Sequence, residues 1–337
     1  MAARLDWVDR SGCRGVVNFL AGVDEAGLGP ILGPLVVAGV AMTGPEGTDP
    51  WRTLRSHVSK TKHQKGKVRV ADSKKVNQGP HGLLRLEETA LVFWGAAHEK
   101  LPGTLAEWLQ ALGTDLDRLA RCPWYSDLDL PLPHIADAGS IELRAELVQR
   151  TLRRAEIELI DLTVRPVDVE EWNGLIADTD NKSRAHFHAY SEVIGRILGH
   201  VHTGADDHHN RHLIADRCGG RMHYHHDLRR LCPDARIEIL REEPAISSYR
   251  LHRSSGAITV TFAERGEDRA FPTALASCLA KYVRELMLEV LNRWFCDRVP
   301  GLRPTAGYYT DGHRFLGDIE PQLSALALPR ERLIRIR

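Results

Sequence analysis

The chain has 337 residues, of which 43% are hydrophobic and 27% are charged, and its formal net charge is zero. This length allows one large domain or two small ones, and the composition is typical of a globular protein with a sizeable core. A zero net charge excludes a uniformly basic coat for nucleic acid, and six scattered cysteines without a CxxC pair exclude a compact disulfide framework.

The sequence carries no sign of export or of membrane insertion. Residues 1–14 lack the apolar core of a secretory signal, and no apolar run approaches the ~20 residues that span a bilayer. Widely spaced cysteines are expected to stay reduced. We therefore expect a cytoplasmic monomer that does not associate with membranes.

The first predicted elements form a hairpin with two acids at its turn. Residues 16–23 read as a strand that ends at Asp24 and Glu25, and the apolar, β-branched residues 31–42 read as its partner. Neighbouring side chains on a strand project to opposite faces, so both acids reach one cleft only if the strand ends there. The alternative is a solvated acidic pair in a tight turn.

The next stretch is basic and loop-like. Residues 45–67 are polar and punctuated by Gly and Pro, and residues 52–75 hold nine Lys or Arg and one acid, Asp72. Such a local patch either binds phosphates or is a solvated loop. A helix is predicted over 83–99, and residues 100–140, rich in Pro, Gly, Asp and Trp, are interpreted as an insertion with a short amphipathic piece over 105–112.

Helices and strands alternate through the rest of the chain. Ser140 is a plausible N-cap for a helix whose apolar residues recur at 3.6-residue spacing. The following predictions are strand 159–167, helix 185–201, strand 211–216, strand 236–240, a hairpin over 249–253 and 258–263, and helix 274–294 with Pro272 in its first turn. This pattern predicts a mixed α/β sheet.

Four acids share one context, the end of a strand or the start of a helix beside one. They are Asp24, Glu25, Asp216 and one of Glu264, Glu267 and Asp268. Hard divalent cations prefer oxygen ligands, and two such ions side by side hydrolyse phosphodiesters. The alternative is four unrelated surface acids, because spacing does not show that they converge.

Several motifs, in order, resemble the type 2 ribonucleases H (ribonuclease HII). Residues 22–30, Gly-Val-Asp-Glu-Ala-Gly-Leu-Gly-Pro, followed by 33–38, are similar to that family's first motif, and 72–76, Asp-Ser-Lys-Lys-Val, resemble its second. Weaker matches follow at Asn181-Lys182, at Asp216, over 272–285, and at Gly307-Tyr308 with His313.

The resemblance implies a ribonuclease H-like fold, with a mixed sheet, flanking helices and a helical insertion. Its catalytic domain would comprise residues 16–99 and 160–320, with 100–159 as the insertion and 321–337 as a C-terminal tail. The implied activity is endonucleolytic hydrolysis, with two Mg²⁺ or Mn²⁺ ions, of the RNA strand in RNA–DNA hybrids or at ribonucleotides embedded in duplex DNA.

The resemblance also implies roles for individual residues. The catalytic metal ligands would be Asp24, Glu25, Asp216 and Glu267, which lies ten residues before Ser277; Asp268 is the alternative and Glu264 lies three residues earlier. The substrate-binding residues would be Gly27, Leu28, Gly29, Ser73, Lys74, Lys75, Lys182 and Tyr308.

Three departures from the family pattern indicate a divergent branch. Leu28 replaces an arginine in a tripeptide that contacts ribose 2′-hydroxyls, Cys218-Gly219-Gly220 loosens the match after Asp216, and Glu267 replaces an aspartate. The 2′-hydroxyl distinguishes RNA from DNA, so the sugar preference stays open. Two alternatives therefore remain, a DNA-directed nuclease of the same superfold, resolvase-like, and a nucleic-acid-binding protein that has lost catalysis.

Histidines cluster in one region that these motifs do not explain. Eight of the 17 histidines lie between His200 and His226. Imidazole suits zinc, but the spacing matches no finger and no cysteine pair accompanies it. We interpret the stretch as a polar, exposed loop.

Overall fold

A computed structural model of the protein describes residues 17–201 and 210–336. Within these ranges the strands are β1 Val17–Ala26, β2 Leu35–Pro45, β3 Val58–Ser59, β4 Val68–Arg69, β5 Glu158–Val167, β6 Arg211–Asp216, β7 Arg236–Glu243, β8 Ile246–Arg253 and β9 Gly256–Ala263. The helices are α1 Pro50–Thr53, α2 Ser73–Val76, α3 Gly82–His98, α4 Leu105–Ala111, α5 Leu116–Leu119, α6 Ala138–Arg154, α7 Val169–Thr179, α8 Lys182–Gly199, α9 His225–Leu231, α10 Gly266–Arg269, α11 Phe271–Cys296 and α12 Tyr309–Ile319.

Seven strands form one mixed sheet in the order β5-β2-β1-β6-β9-β8-β7. The three central strands, β1, β6 and β9, run parallel, and both flanks are antiparallel. The predicted fold class, a mixed α/β sheet with flanking helices, is therefore confirmed.

The parallel pairing brings two distant acids to one edge of the sheet. Val23 of β1 lies opposite Ala215 of β6. Asp24 and Asp216, each the next residue along its strand, therefore lie side by side. This register is the reason that acids almost two hundred residues apart in the chain share a site.

A helical layer covers each face of the sheet. The long helix α11 crosses β1 and β2 on one face, and α8 packs on the other. Side chains of β1 point alternately to the two faces of the sheet and pack in both layers. Phe19 and Val23 belong to the apolar cluster that contains α8, and Ala26 belongs to the cluster that contains α11. The crossing of α11 over β1 is close, because a Cβ on Gly22 would lie 2.0 Å from the backbone nitrogen of Thr273.

Residues 100–159 pack against α3 and α11. The indole of Trp108 contacts the ring of Tyr282 with centroids 5.6 Å apart, and Trp124 contacts Phe295 at 5.6 Å. The buried carboxylate of Glu87 accepts hydrogen bonds from the backbone nitrogens of Ile135, at 2.9 Å, and Ala136, at 2.6 Å. The segment therefore shares a core with α3 and α11, and its interpretation as an insertion stays a prediction.

The element boundaries differ from the predictions in a few places. Strand β1 continues through both acids to Ala26, and α6 begins at Ala138 with Asp137 as its N-cap instead of Ser140. The predicted loop 45–67 contains α1 and β3, and α7, α9 and α12 were not predicted. The seven-residue α9 escapes prediction because two turns show too little periodicity.

Two further predictions concern cysteines and membranes. The cysteines within the described ranges, Cys122, Cys218, Cys232, Cys278 and Cys296, are free thiols. No helix of the described residues has the length and apolar character that crossing a membrane requires.

Candidate metal centre

Three carboxylates converge where β1 and β6 meet. Ligand atoms of Asp24, Glu25 and Asp216 all lie within 4.8 Å of one another. Asp24 is almost fully buried, and Glu25 and Asp216 are partly buried. The structure thus brings together three of the four acids that the sequence singled out.

The two neighbouring acids of β1 are anchored from opposite faces of the sheet. Ser277 of α11 lies near the carboxylate of Asp24 on one face, where its side chain lowers the pKa of that acid. On the other face, the hydroxyl of Tyr190 in α8 donates a hydrogen bond to Oε2 of Glu25. The strand does not end at these acids, and they still meet Asp216 because they lie at the edge where β6 ends.

Backbone groups orient the other carboxylate oxygens. Oδ1 of Asp24 accepts the backbone N–H of Glu25 at 2.7 Å, and Oδ1 of Asp216 accepts the N–H of Gly266 at 3.0 Å. These bonds leave other carboxylate oxygens available to a ligand, since each oxygen accepts about two hydrogen bonds.

Burial sets the electrostatics of the cluster. Burial, followed by the charges of Glu25 and Asp216, raises the pKa of Asp24 well above its usual value. Burial raises the pKa of Glu25 to about 7, against the opposing hydrogen bond from Tyr190, and burial also raises the pKa of Asp216. Three clustered carboxylates whose pKa values are all raised indicate a site that a cation would stabilise.

Sequence reasoning missed the two side chains of α8 that face Glu25. Tyr190 is buried in the helix that the sequence predicts over 185–201, and the sequence pattern assigns its hydroxyl no role. One turn earlier, Nε2 of His186 lies 3.7 Å from Oε1 of Glu25, and this buried nitrogen has no hydrogen-bond partner. The sequence signal for this contact is a pair of residues with polar side-chain ends, His186 and Tyr190, four positions apart on an otherwise apolar face of the helix.

The three candidates for a fourth acid differ in their partners. Asp268 pairs with Lys75 at 3.3 Å and also with Arg265, and Glu264 pairs with Arg217 at 2.9 Å. No ion pair involving Glu267 occurs among the described residues. Burial, and the nearby charges of Asp216 and Asp72, raise the pKa of Glu267. Glu267 lies outside the group of three converging carboxylates, so its role as fourth ligand stays a prediction.

Basic residues of α2 lie beside the carboxylates. The charge of Lys74 lowers the pKa of both Glu25 and Asp216, which places this exposed lysine close to the cluster. Lys75 lies 3.8 Å from Asp72. Ser73 is buried, and its backbone nitrogen donates to Oγ of Ser277 at 3.2 Å, so Ser73 fixes α2 against α11. Lys182 lies at the start of α8, where its charge contributes to lowering the pKa of His186.

The tripeptide Gly27-Leu28-Gly29 follows the acids directly. Gly27 has a φ of +93°, and a Cβ there would lie 2.6 Å from both Nε of Arg284 and the carbonyl oxygen of Pro34, so glycine is required. The buried guanidinium of Arg335 donates to the Gly27 carbonyl. Leu28 is partly buried against the apolar cluster that contains α8, and it therefore offers a substrate backbone groups only.

Tyr308 lies at the start of α12 and is 52% exposed. The guanidinium carbon of the buried Arg284 lies 5.7 Å from the centre of its ring. Half of the ring thus remains available for contact with a substrate.

The histidine-rich stretch does not form a metal site within the described residues. Residues 202–209 lie outside the described ranges. The one group of three or more possible metal ligands in 17–201 and 210–336 is Asp24, Glu25 and Asp216. His223, His225 and His226 therefore do not form a group of possible metal ligands.

Comparison with known proteins gives matches to solved structures alone. No family model and no curated protein matches the chain. Ribonuclease HII of Archaeoglobus fulgidus, solved in complex with PCNA, is 16% identical, with 95% of this chain and 94% of that chain covered at a TM-score of 0.42. Bst ribonuclease HIII, solved with Mn²⁺, is 14% identical. The match covers 96% of this chain and 67% of that chain, with a TM-score of 0.41. Ribonuclease H2 of Pyrococcus horikoshii OT3 is 15% identical. The match covers 94% of this chain and 92% of that chain, with a TM-score of 0.36.

These structural neighbours are ribonucleases of the H2 and H3 types, and their similarity to this chain is distant. Identities of 14–16% do not transfer residue roles.

Proposed function

We propose that this protein is a divalent-metal-dependent endonuclease that cleaves the RNA strand of RNA–DNA hybrids, or ribonucleotides embedded in duplex DNA. The observation that carries the proposal is the convergence of Asp24, Glu25 and Asp216, whose ligand atoms lie within 4.8 Å of one another. An all-oxygen donor set of this kind suits Mg²⁺ or Mn²⁺ and does not suit a soft metal.

Asp24, Glu25, Asp216 and Glu267 would hold two ions. Such ions supply an activated water and stabilise the developing charge on a phosphodiester. The protein's own part is positioning. Tyr190 holds Glu25, Ser277 lies near Asp24, and the exposed Lys74 presents a positive charge beside them for a substrate phosphate.

The test is cleavage of three duplexes, an RNA–DNA hybrid, a DNA duplex with a single ribonucleotide, and an all-DNA duplex, each with Mg²⁺ and with Mn²⁺. We expect cleavage of the first two, and loss of at least about a hundredfold in Asp24→Asn and Asp216→Asn, because removing a metal-binding charge disables the site. Glu146→Gln, on the exposed face of α6, is the control and should keep full activity. Full metal-dependent cleavage by Asp24→Asn would refute the site.

A second readout tests the metal site without catalysis. Isothermal titration of Mn²⁺ should show binding that Asp216→Asn weakens and Glu146→Gln leaves unchanged. Equal binding by all three proteins would refute the assignment of the carboxylates as ligands.

One observation favours a second candidate, a DNA-directed nuclease. The aliphatic side chain of Leu28 is packed against the core and offers no hydrogen bond to a ribose hydroxyl. Cleavage of the all-DNA duplex as fast as the hybrid would select this candidate.

A further inference from the structure

A cationic cleft lies on the loop and helix that directly follow Asp216 in the chain. Its volume is about 330 Å³, and its lining combines α8, the loop 217–224 and α9. The lining residues are Arg184, Arg221, His223, His225, His226, Asp227 and Arg230. Three of the five described histidines in the stretch 200–226, His223, His225 and His226, are therefore in this cleft.

The loop is held rigidly by a buried tyrosine. The backbone nitrogen of Cys218 donates to the hydroxyl of Tyr224 at 3.1 Å, and that hydroxyl donates to the carbonyl of Arg221 at 3.2 Å. The ring of Tyr224 stacks on Phe262 with centroids 3.7 Å apart. The cleft is thus a preformed surface, which lowers the entropic cost of binding a ligand.

Arg221 is oriented with donor capacity to spare. Its guanidinium lies 5.2 Å from the ring centres of both Phe187 and Tyr224, and it also pairs with Asp227. Its Nη1 is buried and has no hydrogen-bond partner. A fixed guanidinium with an unused N–H is suited to an oxyanion, since Arg matches the geometry of phosphate oxygens.

The cleft keeps a net positive charge after its internal pairs are counted. Asp227 offsets Arg221, and Glu242 pairs with His223 at 2.8 Å. Arg184 and Arg230 are exposed, and no ion pair within the described part of the chain involves either of them. Two arginines therefore remain to attract an anion, with His225 and His226 beside them.

The cleft continues into a second one. A neighbouring cleft of about 410 Å³ shares Arg184, Asp227 and Arg230 with it. Phe187, under Arg221, directly follows His186, whose Nε2 lies 3.7 Å from Glu25. An extended groove of this kind fits a chain of phosphates better than a single small anion.

We propose that this groove binds the phosphate backbone of the nucleic-acid duplex next to the scissile phosphate, with Arg184, Arg221 and Arg230 as the phosphate contacts. This inference rests on the proposed function. Contacts with phosphates position a substrate and carry no sequence information, so the groove would raise affinity for any duplex.

The test is the double variant Arg184→Ala/Arg230→Ala, with Arg229→Ala as the matched control. Arg229 is an exposed arginine of the same helix and does not line the cleft. Fluorescence anisotropy in EDTA, where metal-dependent cleavage is absent, gives Kd for a 30-base-pair duplex at several salt concentrations. We expect the double variant to bind about tenfold more weakly, with a salt slope shallower by about two, and the control to match the wild type.

Three results are informative. Equal Kd and salt slope in the double variant and the control would overturn the inference. Thermal stabilisation by inorganic phosphate that the double variant loses, with duplex binding unchanged, would also overturn it, since the cleft would then take a free phosphate. A wild type that binds the duplex through the two arginines but cleaves nothing with Mg²⁺ or Mn²⁺ would support the groove and refute the proposed function.

Discussion

At the scale of single residues, Glu25 is the best-supported acid of the site. Tyr190 donates to one of its carboxylate oxygens, and His186 approaches the other at 3.7 Å. Burial lowers the pKa of His186 to about 3, so the imidazole is neutral at physiological pH. A neutral imidazole adds no cation to the site, so His186 does not compete with a metal ion for Glu25.

Replacing Tyr190 by Phe should impair catalysis more than folding. Glu25 would lose one orienting hydrogen bond, worth about 1 kcal/mol, and we expect kcat to fall about tenfold and the Mn²⁺ concentration for half-maximal activity to rise. Steady-state kinetics over a metal titration measures both. The matched control is Tyr125→Phe, because the buried hydroxyl of Tyr125 has no hydrogen-bond partner. Identical metal dependence in the two variants would show that Tyr190 does not position Glu25.

The metal-free protein should lose stability as pH rises. The pKa of Glu25 is raised from 4.5 to about 7 by burial, so the folded state holds its proton more tightly than the unfolded chain does. The resulting stabilisation is complete below about pH 4.5 and disappears as pH rises through about 7. Urea denaturation in EDTA at several pH values should show a decline that is smaller in Glu25→Gln. A Glu25→Gln variant with the same pH dependence as the wild type would contradict this assignment.

At the scale of elements, the close crossing of β1 and α11 sets the geometry of the site. Glycine at position 22 lets the first turn of α11 approach the strand that carries Asp24. The same helix then brings Ser277 to Asp24 and, through Ser73, fixes α2 beside it. The positions of the acid and of the basic residues of α2 therefore depend on one helix–strand contact.

Gly22→Ala should destabilise the protein by about 1–3 kcal/mol or more, since overpacking a core forces backbone shifts. The added Cβ would lie 2.0 Å from the backbone nitrogen of Thr273. Gly29→Ala is the matched control, because a Cβ there meets nothing within 4 Å and Gly29 does not have a positive φ. Chemical denaturation gives both values. A Gly22→Ala protein as stable as Gly29→Ala would mean that the two elements are not in close contact.

At the scale of the whole molecule, the C-terminal segment closes the structure over the first motif. Arg335 is buried, and it donates to the carbonyls of Gly33, at 3.1 Å, and of Gly27. Burial, followed by the charge of Arg284, lowers its pKa to about 9. The backbone of Ile336 is held by Asn173 and Trp172. Residues from the two ends of the sequence thus stabilise each other beside the site.

Arg335→Ala should lower the free energy of unfolding by about 1–3 kcal/mol, because the carbonyls of Gly27 and Gly33 would lose their donor in a buried place. We expect catalysis to fall as well, since Gly27 lies two residues from Glu25. The control is Arg332→Ala, a largely solvated arginine paired with Glu170 at 3.1 Å, which should change stability by less than 1 kcal/mol. Thermal melting and cleavage assays measure the two effects. Equal melting temperatures in the two variants would contradict the role of Arg335.

The sequence by itself determined the long elements, the mixed α/β class and the three acids that converge, Asp24, Glu25 and Asp216. Strand β6 has the predicted bounds, and α11 begins in the turn that contains Pro272, because hydrophobic periodicity and proline geometry are local properties. The motif around Asp24 and Glu25 was visible because glycines and acids sit together in the chain.

Only the tertiary structure decided which side chains face the acids. The roles of Tyr190, His186 and Ser277 depend on how α8 and α11 are rotated against the sheet, and the positions of Arg221 and Arg335 depend on loops with no periodic pattern. These contacts join residues far apart in the chain. The packing of whole layers determines these contacts, so they cannot be predicted from the local sequence.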